Sequence, residues 1–506
     1  MQGGKRTISI ATLLLACGIG ILANMLAQRY KFRVDLTSDK RYTLDPATLQ
    51  LLQHLPETVT VTAYVTADLP PEMAVVRQDF MDLLVEYANR SGGKLVFEFV
   101  DPGSSPEHSA KAVEEGIRPL LVQTRRKDRS ENLQVFMGAT LRMADRKAVV
   151  PAFQKGPGME WTLTSALAQL LTVEKPLIGV MQGHHEPSLQ ALDELAAQLN
   201  AQYDVEATAI YDSFPINDRF TSLLIIDPKD SLPAQHLRRI NEYMAKGHGV
   251  VLAFSAVAAD FGLAPKVEMR DIGLGPWLAE HGLRVGPGVV VDRQCGQIGV
   301  VQATVQAPVA MDFPFYPLIS KFGDHPIDHG LDLVMFQFAS PMQIIGDSTT
   351  ARYWPVVSTS GRSGVLATPL NMDLRKAWTD ADFPLGPQML GAAREPHDST
   401  RGRLVVFSNG SFCTGEMNGR TTRLPKGNLD LMVNATDWVT HHTALLSMRG
   451  KEKNYRPITD PGEAARTSLK WLNLLLPPGI MLLYGLLRVQ WRRRQRRQRM
   501  QPGHVQ

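Results

Sequence analysis

Two uncharged apolar runs, one near each end of the chain, constrain this fold more than any other feature. From Ile8 to Ala27 no side chain carries a charge, and Lys5 and Arg6 precede the run. Those twenty residues, at about 1.5 Å of rise each, make roughly 30 Å of helix, the thickness of a bilayer's hydrocarbon core. Trp471 to Leu487 is likewise uncharged and is bracketed by Lys470 and Arg488, whose long stems can snorkel to headgroups. Trp471, Tyr484 and Trp491 stand where interfacial aromatics belong. Seventeen residues is the short limit for a span, and the adjacent Pro477 and Pro478 are expected to kink it. A kink is tolerated in lipid when a neighbour satisfies the freed carbonyls, which points to a partner in the membrane.

Orientation follows from the basic tail. Arg488 is followed by Arg492, Arg493, Arg494, Arg496, Arg497 and Arg499, and so dense a cationic block beside a span stays cytoplasmic. Two spans then place the N-terminus inside as well, with residues 28–468 outside. Arg29, Lys31 and Arg33 argue the other way, but they are fewer. The tail reads as a lipid-facing, topology-setting element rather than a nucleic-acid site. This predicts a two-pass protein of the bacterial inner membrane with a periplasmic bulk. Leu14-Leu15-Ala16-Cys17 loosely matches a lipoprotein cleavage box, yet Gly18 to Ala27 stays apolar, so an uncleaved anchor is expected. Cys295 and Cys413 would lie in the oxidising compartment, where a disulfide is allowed but two free thiols are the simpler expectation.

A chain of 506 residues is too long for one ordinary core, and 44% hydrophobic with 21% charged residues is a globular composition. We expect an N-tail and first span (1–28), a juxtamembrane segment (29–55) and a first soluble domain (56–173). A second domain (174–448) with an insertion at about 300–388 follows, then a linker (449–468), the second span (469–490) and a basic tail (491–506). In the first domain, Thr43 or Asp45 caps a short helix with Pro46 in its first turn. Strand 59–65, helix 72–89, strand 95–100, helix 110–115, strands 120–124 and 133–141 and helix 160–171 follow. This order, with Pro119 opening the third strand, resembles the thioredoxin fold, in which that proline is cis. After the first strand, however, Thr66-Ala67-Asp68-Leu69-Pro70-Pro71 contains no cysteine, which excludes thiol–disulfide exchange.

The second domain reads as a Rossmann-like, amidotransferase-like parallel sheet. Strands 177–181, 205–210, 222–226 and 250–254 alternate with helices 188–200 and 234–245. Helix 272–281 and strand 289–291 are expected to extend the sheet, with strand 403–407 and helix 428–440 closing it. Gly183-His184-His185-Glu186 falls at the carboxyl end of the first strand, where open α/β sheets place ligands. Two imidazoles and a carboxylate could contact a metal, an amine or a partner chain. Adjacent histidines cannot easily aim both rings at one ion, which favours a tight turn whose histidine bonds nearby backbone. His325-Pro326-Ile327-Asp328-His329 reads as a loop without a third ligand.

Absences restrict the chemistry. The chain has no G-x-x-x-x-G-K-[ST], so it carries no P-loop, and Pro187 breaks any H-E-x-x-H pattern. Ser408 precedes Gly410 by two residues, but Val406 stands where a nucleophile elbow needs glycine. No cofactor motif or nucleic-acid signature appears.

The order of segments resembles the GldG-like auxiliary components of gliding-motility-type ABC transporters. The matching stretches are Val34 to Pro46, Ser91-Gly92-Gly93-Lys94, Phe99-Val100-Asp101-Pro102, Gly183 to Glu186, Asn428-Leu429-Asp430-Leu431, Asn434-Ala435-Thr436-Asp437-Trp438 and the closing span. In that family the turn is usually Gly-His-Gly-Glu, and His185 stands at its second glycine. The resemblance implies a non-catalytic subunit working with a separate permease and a separate cytoplasmic ATPase. It implies neither catalytic residues nor a particular periplasmic substrate. A stand-alone envelope receptor or scaffold, and a metal-dependent hydrolase using His184, His185 and Glu186, are the competing readings.

Overall fold

Asp45 starts the first helix. Its backbone is extended, its carboxylate accepts the Ala47 N–H at 3.0 Å, and Pro46 fills the first helical position of α1 (Pro46–Gln53). The computed structural model describes residue 18, residues 43–441 and residues 463–499, excepting 127–128, 154–157, 173, 263, 302–307, 375, 415, 418–419 and 422–423. The first apolar run, Ile8 to Ala27, lies outside the described residues except for Gly18, as do Cys17 and the segment 442–462.

After α1 come β1 (Val59–Val65), α2 (Pro71–Arg90), β2 (Leu95–Val100) and α3 (Pro106–Glu114). Strands β3 (Leu120–Arg126), β4 (Arg129–Val135), β5 (Met137–Met143) and β6 (Arg146–Val150) then lead to α4 (Gly158–Leu171). The sheet order is β2-β1-β5-β6, with β1 parallel to β2 and antiparallel to β5. Val59, Val61 and Ala63 alternate inward against Phe80 and Leu84 of α2 and Leu163 and Leu167 of α4, a half-buried strand's period of two.

Two expectations fail here. The run 133–141 is not one strand, because the chain changes partners at Phe136. Residues up to Val135 pair with β3 in a hairpin, whereas Met137 onward pairs with β1. The Phe136 N–H donates to the Thr66 hydroxyl at 2.9 Å and its carbonyl accepts from Thr66 N–H at 3.1 Å, which fixes the switch. Strand β3 therefore lies off the main sheet. The Arg118–Pro119 bond is not cis, and the cis X–Pro bond among the described residues is Thr368–Pro369.

A buried polar joint ties the helices of this region together. Glu160 accepts from Asp45 N–H at 2.6 Å and from the Thr48 hydroxyl at 2.9 Å, while the Tyr87 hydroxyl donates to the Glu160 carbonyl at 3.2 Å and lies 2.6 Å from Thr164 Oγ1. Tyr87→Phe keeps the ring and removes only these hydroxyl contacts. The expected cost is about 1 kcal/mol, read as a lower urea midpoint for the full chain in detergent. An unchanged midpoint would show that the joint contributes nothing net.

The second region begins with β7 (Leu177–Gln182), α5 (Asp193–Leu199), β8 (Asp204–Ala209), β9 (Phe220–Ile226), α6 (Ala234–Ala245) and β10 (Gly249–Ala253). Next come β11 (Val257–Asp260), β12 (Lys266–Met269), α7 (Gly275–Glu280), β13 (Leu283–Val285), β14 (Val289–Asp292), β15 (Cys295–Val301) and β16 (Pro308–Ile319). Strands β17 (Val334–Met335), β18 (Met342–Ile344), β19 (Ala351–Ser358), β20 (Ser363–Leu366), β21 (Leu370–Asn371), β22 (Met389–Pro396) and β23 (Leu404–Phe407) precede α8 (Lys426–Val439).

Five strands run parallel in the order β8-β7-β9-β10-β23. Antiparallel β22, β18 and β13 extend the β23 edge, and β19 also pairs with β22. Successive strand residues face opposite layers. Leu224, Val251 and Val405 pack under α5 and α8, whereas Leu223, Val250 and Val406 pack under α6 and α7. Such two-sided burial is what near-continuous apolar strands require.

Helix α5 starts later than its periodicity predicts, because residues 188–192 close i→i+3 turns at Ala191 and Leu192 after Pro187. Strand β14 does not extend the main sheet either, since Val289 to Asp292 pair only with β20. Val289 and Val291 instead join Phe313, Phe315, Phe338 and Phe383 in a separate apolar cluster.

The C-terminal helix α9 (Glu463–Arg499) belongs to a second unit. It contains Pro477 and Pro478 and carries Trp471, Arg492, Arg493 and Arg494. Among the described residues it is the one helix long and apolar enough to cross a membrane, over Arg466–Arg494.

Candidate functional site

The Gly183-His184-His185-Glu186 turn leaves β7 at the point where the sheet reverses its winding. Strand β8 lies to one side of β7 and β9 to the other, so the carboxyl ends of β7 and β9 flank the crevice. Gly183 has φ +121° and His185 has φ +56°, both in the region that favours glycine. His185 therefore holds the conformation its glycine counterpart would adopt without strain. The Gln182 side chain donates to the Pro187 carbonyl at 3.0 Å, and Glu186 accepts the His184 N–H at 2.6 Å. The loop after β9 is bonded across the crevice, because Lys229 and Asp230 N–H groups both donate to the His184 carbonyl, at 2.9 and 3.1 Å.

The two histidine rings take separate partners. His185 is exposed, its Nδ1 lies 2.6 Å from Asp230 Oδ2, and that carboxylate raises the pKa of the imidazole. His184 is buried, and its ring contacts another imidazole rather than backbone, which corrects the simple-turn expectation. Glu186 Oε1 lies 3.3 Å from His184 Nδ1, His184 Nε2 lies 2.9 Å from Nδ1 of His236 on α6, and His236 Nε2 lies 3.3 Å from Asp212 Oδ1. Burial, reinforced by His184, lowers the His236 pKa against the pull of Asp212. Among the described residues, His184 Nδ1 and Glu186 Oε1 are buried atoms without a hydrogen-bond partner. The arrangement links the β7 turn to α6 through two imidazoles, and it orients no nucleophile.

Three other sequence candidates resolve plainly. Ser408 is fully buried and donates to the Leu390 carbonyl at 3.1 Å, so it forms no elbow. His325 packs against Trp354 and Trp438 beside a 3-10 turn (Pro326–Asp328), and burial pushes its pKa down to about 4. Cys295 and Cys413 are free thiols. Among the described residues no group of three or more His, Cys, Asp or Glu side chains could hold a metal ion.

Asp212, Asp230 and His236 are the partners that sequence reasoning missed. Each is an ordinary polar residue in its own segment, and only the packing of α6 and the β9 loop against the β7 turn gives them a role.

Residues 175–435, just over half of the chain, match a family described as an ABC-type uncharacterized transport system. Residues 38–142 match a domain of unknown function. An uncharacterized protein of Borreliella burgdorferi is 19% identical over 500 residues, covering 92% of this chain and 94% of that protein. Among solved structures, the IFT52 N-terminal domain aligns over 52% of this chain and 97% of its own, at 12% identity and a TM-score of 0.35. A ThuA-like protein from Parabacteroides merdae aligns over 57% of this chain and 96% of its own, at 15% identity and a TM-score of 0.31. At such TM-scores these are loose likenesses and imply no shared chemistry.

Proposed function

The chain belongs to the auxiliary-component family of ABC-type transport systems, and on that premise we propose that it is a non-enzymatic subunit of such a transporter. Its partners are a permease and a cytoplasmic ATPase supplied by separate chains. The observation that carries this reading is the family match over 175–435, which spans both the β7 turn and most of α8. Helix α9, apolar in its middle and arginine-rich at its end, supports attachment to the inner membrane. With the apolar run Ile8 to Ala27 as a second span, the body lies in the periplasm and binds or gates a substrate or envelope partner there.

The order β2-β1-β5-β6 with β1 and β2 parallel supports a thioredoxin-like first domain that lacks the redox cysteines. The exposed ring of His185, paired with Asp230, is the part of the Gly183 to Glu186 turn that offers itself to a partner. Affinity purification of the tagged full-length chain in mild detergent is expected to recover a permease and an ATPase in stoichiometric amounts. Recovery of the chain alone, under conditions that keep known transporters assembled, overturns the reading.

A further inference from the structure

A pocket of about 210 Å³ opens beyond the carboxyl ends of β9 and β10, on the opposite side of the β9 loop from the imidazole chain. Its polar lining includes two hydroxyls with protons to donate. Ser255 Oγ already accepts from the Gly410 N–H at 3.0 Å, and Ser411 Oγ accepts from the Asn409 amide at 3.2 Å. Among the described residues neither hydroxyl proton has an acceptor, so both remain to be donated. Arg270 is half-buried at the same pocket and makes no ion pair or side-chain hydrogen bond among the described residues. The lining carboxylate, Asp227, is paired with Lys229, and its other oxygen is buried without a partner. That oxygen lies against Gly410, where an added Cβ would come within 2.4 Å of it.

Charge and donors therefore add up to one conclusion. Asp227 and Lys229 cancel, Arg270 leaves a net positive charge, and two hydroxyls offer protons beside it. A guanidinium with flanking hydroxyl donors is complementary to an oxyanion, which accepts in several directions at once. Phe261 and Phe338, whose ring centroids are 5.7 Å apart, give the pocket an apolar wall. The position fits as well, because open α/β sheets bind ligands outside the carboxyl ends of their strands.

We propose that this pocket binds a small organic oxyanion, a carboxylate or a phosphate monoester with an apolar body, held by Arg270, Ser255 and Ser411. The assignment does not depend on association with a transporter. A chain that co-purifies with permease and ATPase but binds no oxyanion keeps the first role and loses this one.

Titration calorimetry on the full-length protein in detergent tests it with four probes of similar size: benzoate, phenyl phosphate, benzylamine and benzyl alcohol. Benzoate or phenyl phosphate is expected to bind, the tighter of the two identifying the headgroup, while the amine and the alcohol do not. Arg270→Gln is expected to weaken the anion at least about tenfold, the loss of one charge-assisted contact. Ser411→Ala is expected to weaken it about threefold and keeps the test open should Arg270→Gln fail to fold. Absence of anion binding, equal binding of benzyl alcohol, or full affinity in both variants overturns the proposal.

Discussion

Replacing Asn428 by alanine is expected to lower the stability of the α/β body by about 3 kcal/mol. The side chain is almost fully buried at the start of α8 and uses its whole amide. Nδ2 donates to the Met335 carbonyl at 2.8 Å and the Phe412 carbonyl at 2.7 Å, and Oδ1 accepts the Met335 N–H at 2.8 Å. Alanine leaves three backbone groups without these partners in a place that water does not readily reach, and each such group costs roughly 1–3 kcal/mol before relaxation. Asn428→Asp should fare little better, because a carboxylate cannot donate to the two carbonyls. Urea unfolding of the detergent-solubilised chain reads the effect, and a loss below about 1 kcal/mol would mean that the loops re-satisfy themselves. Asn434 works the same way further along α8, donating to the Ile327 and His329 carbonyls at 2.9 and 2.8 Å.

Asp328→Asn is expected to change stability in the opposite direction, by an amount that grows as pH rises from the ordinary carboxylate range towards 8. Burial pushes the Asp328 carboxyl up to about 8, so the folded state favours its protonated form. Because the folded pKa lies above the unfolded value, this group's stabilising contribution is complete below the ordinary carboxylate range. It is lost progressively as pH rises towards 8. Asparagine removes that loss while its carbonyl can still accept the Gly323 N–H, which Asp328 Oδ2 accepts at 3.1 Å. The variant should exceed the wild type by roughly 2 kcal/mol at pH 8, with the gain vanishing near pH 4. His325 and His281 act against Asp328 on acidification. Burial lowers both to about 4, so their contribution is present above the ordinary imidazole value and is lost as pH falls towards 4. The variant should therefore lose stability more steeply between pH 7 and 5 than the wild type. Thermal melts across that range decide it, and parallel curves for the two proteins would sink the assignment.

Particular residues show how much was legible in the chain. Strand β1 and helix α6 occupy the residues that local pattern assigned to them, because alternation in one and a 3.6-residue apolar stripe in the other are properties of contiguous sequence. The 133–141 run has the pattern of one strand but divides, because Phe136 changes partner through Thr66, seventy residues away. Nothing in the run itself signals that exchange. Strand β14 has the apolar character of a sheet strand, yet pairs with β20 instead. Pattern specifies that a segment is extended and which faces it buries, but not which strand it meets.

The same division runs through the site and the family motif. The turn after β7 was visible because glycine, histidine and glutamate at a strand end form a local pattern. Its chemistry was not visible, since Asp212, Asp230 and His236 arrive from other segments. Asn428, Asn434 and Asp437 stood out only as matching residues. The fold shows that the asparagines staple distant loops to α8, and that Asp437 accepts the Tyr203 hydroxyl at 2.6 Å. What the sequence by itself determined was the apolar run in the closing helix, the strand–helix alternation, and the lack of a redox cysteine pair, a P-loop or a nucleophile elbow. These depend on composition and short spacing alone. The tertiary structure alone decided the imidazole chain, the donor-rich pocket beside Arg270 and the titration of Asp328. Hydrogen-bond satisfaction and desolvation belong to groups brought together across the chain, and no local pattern encodes them.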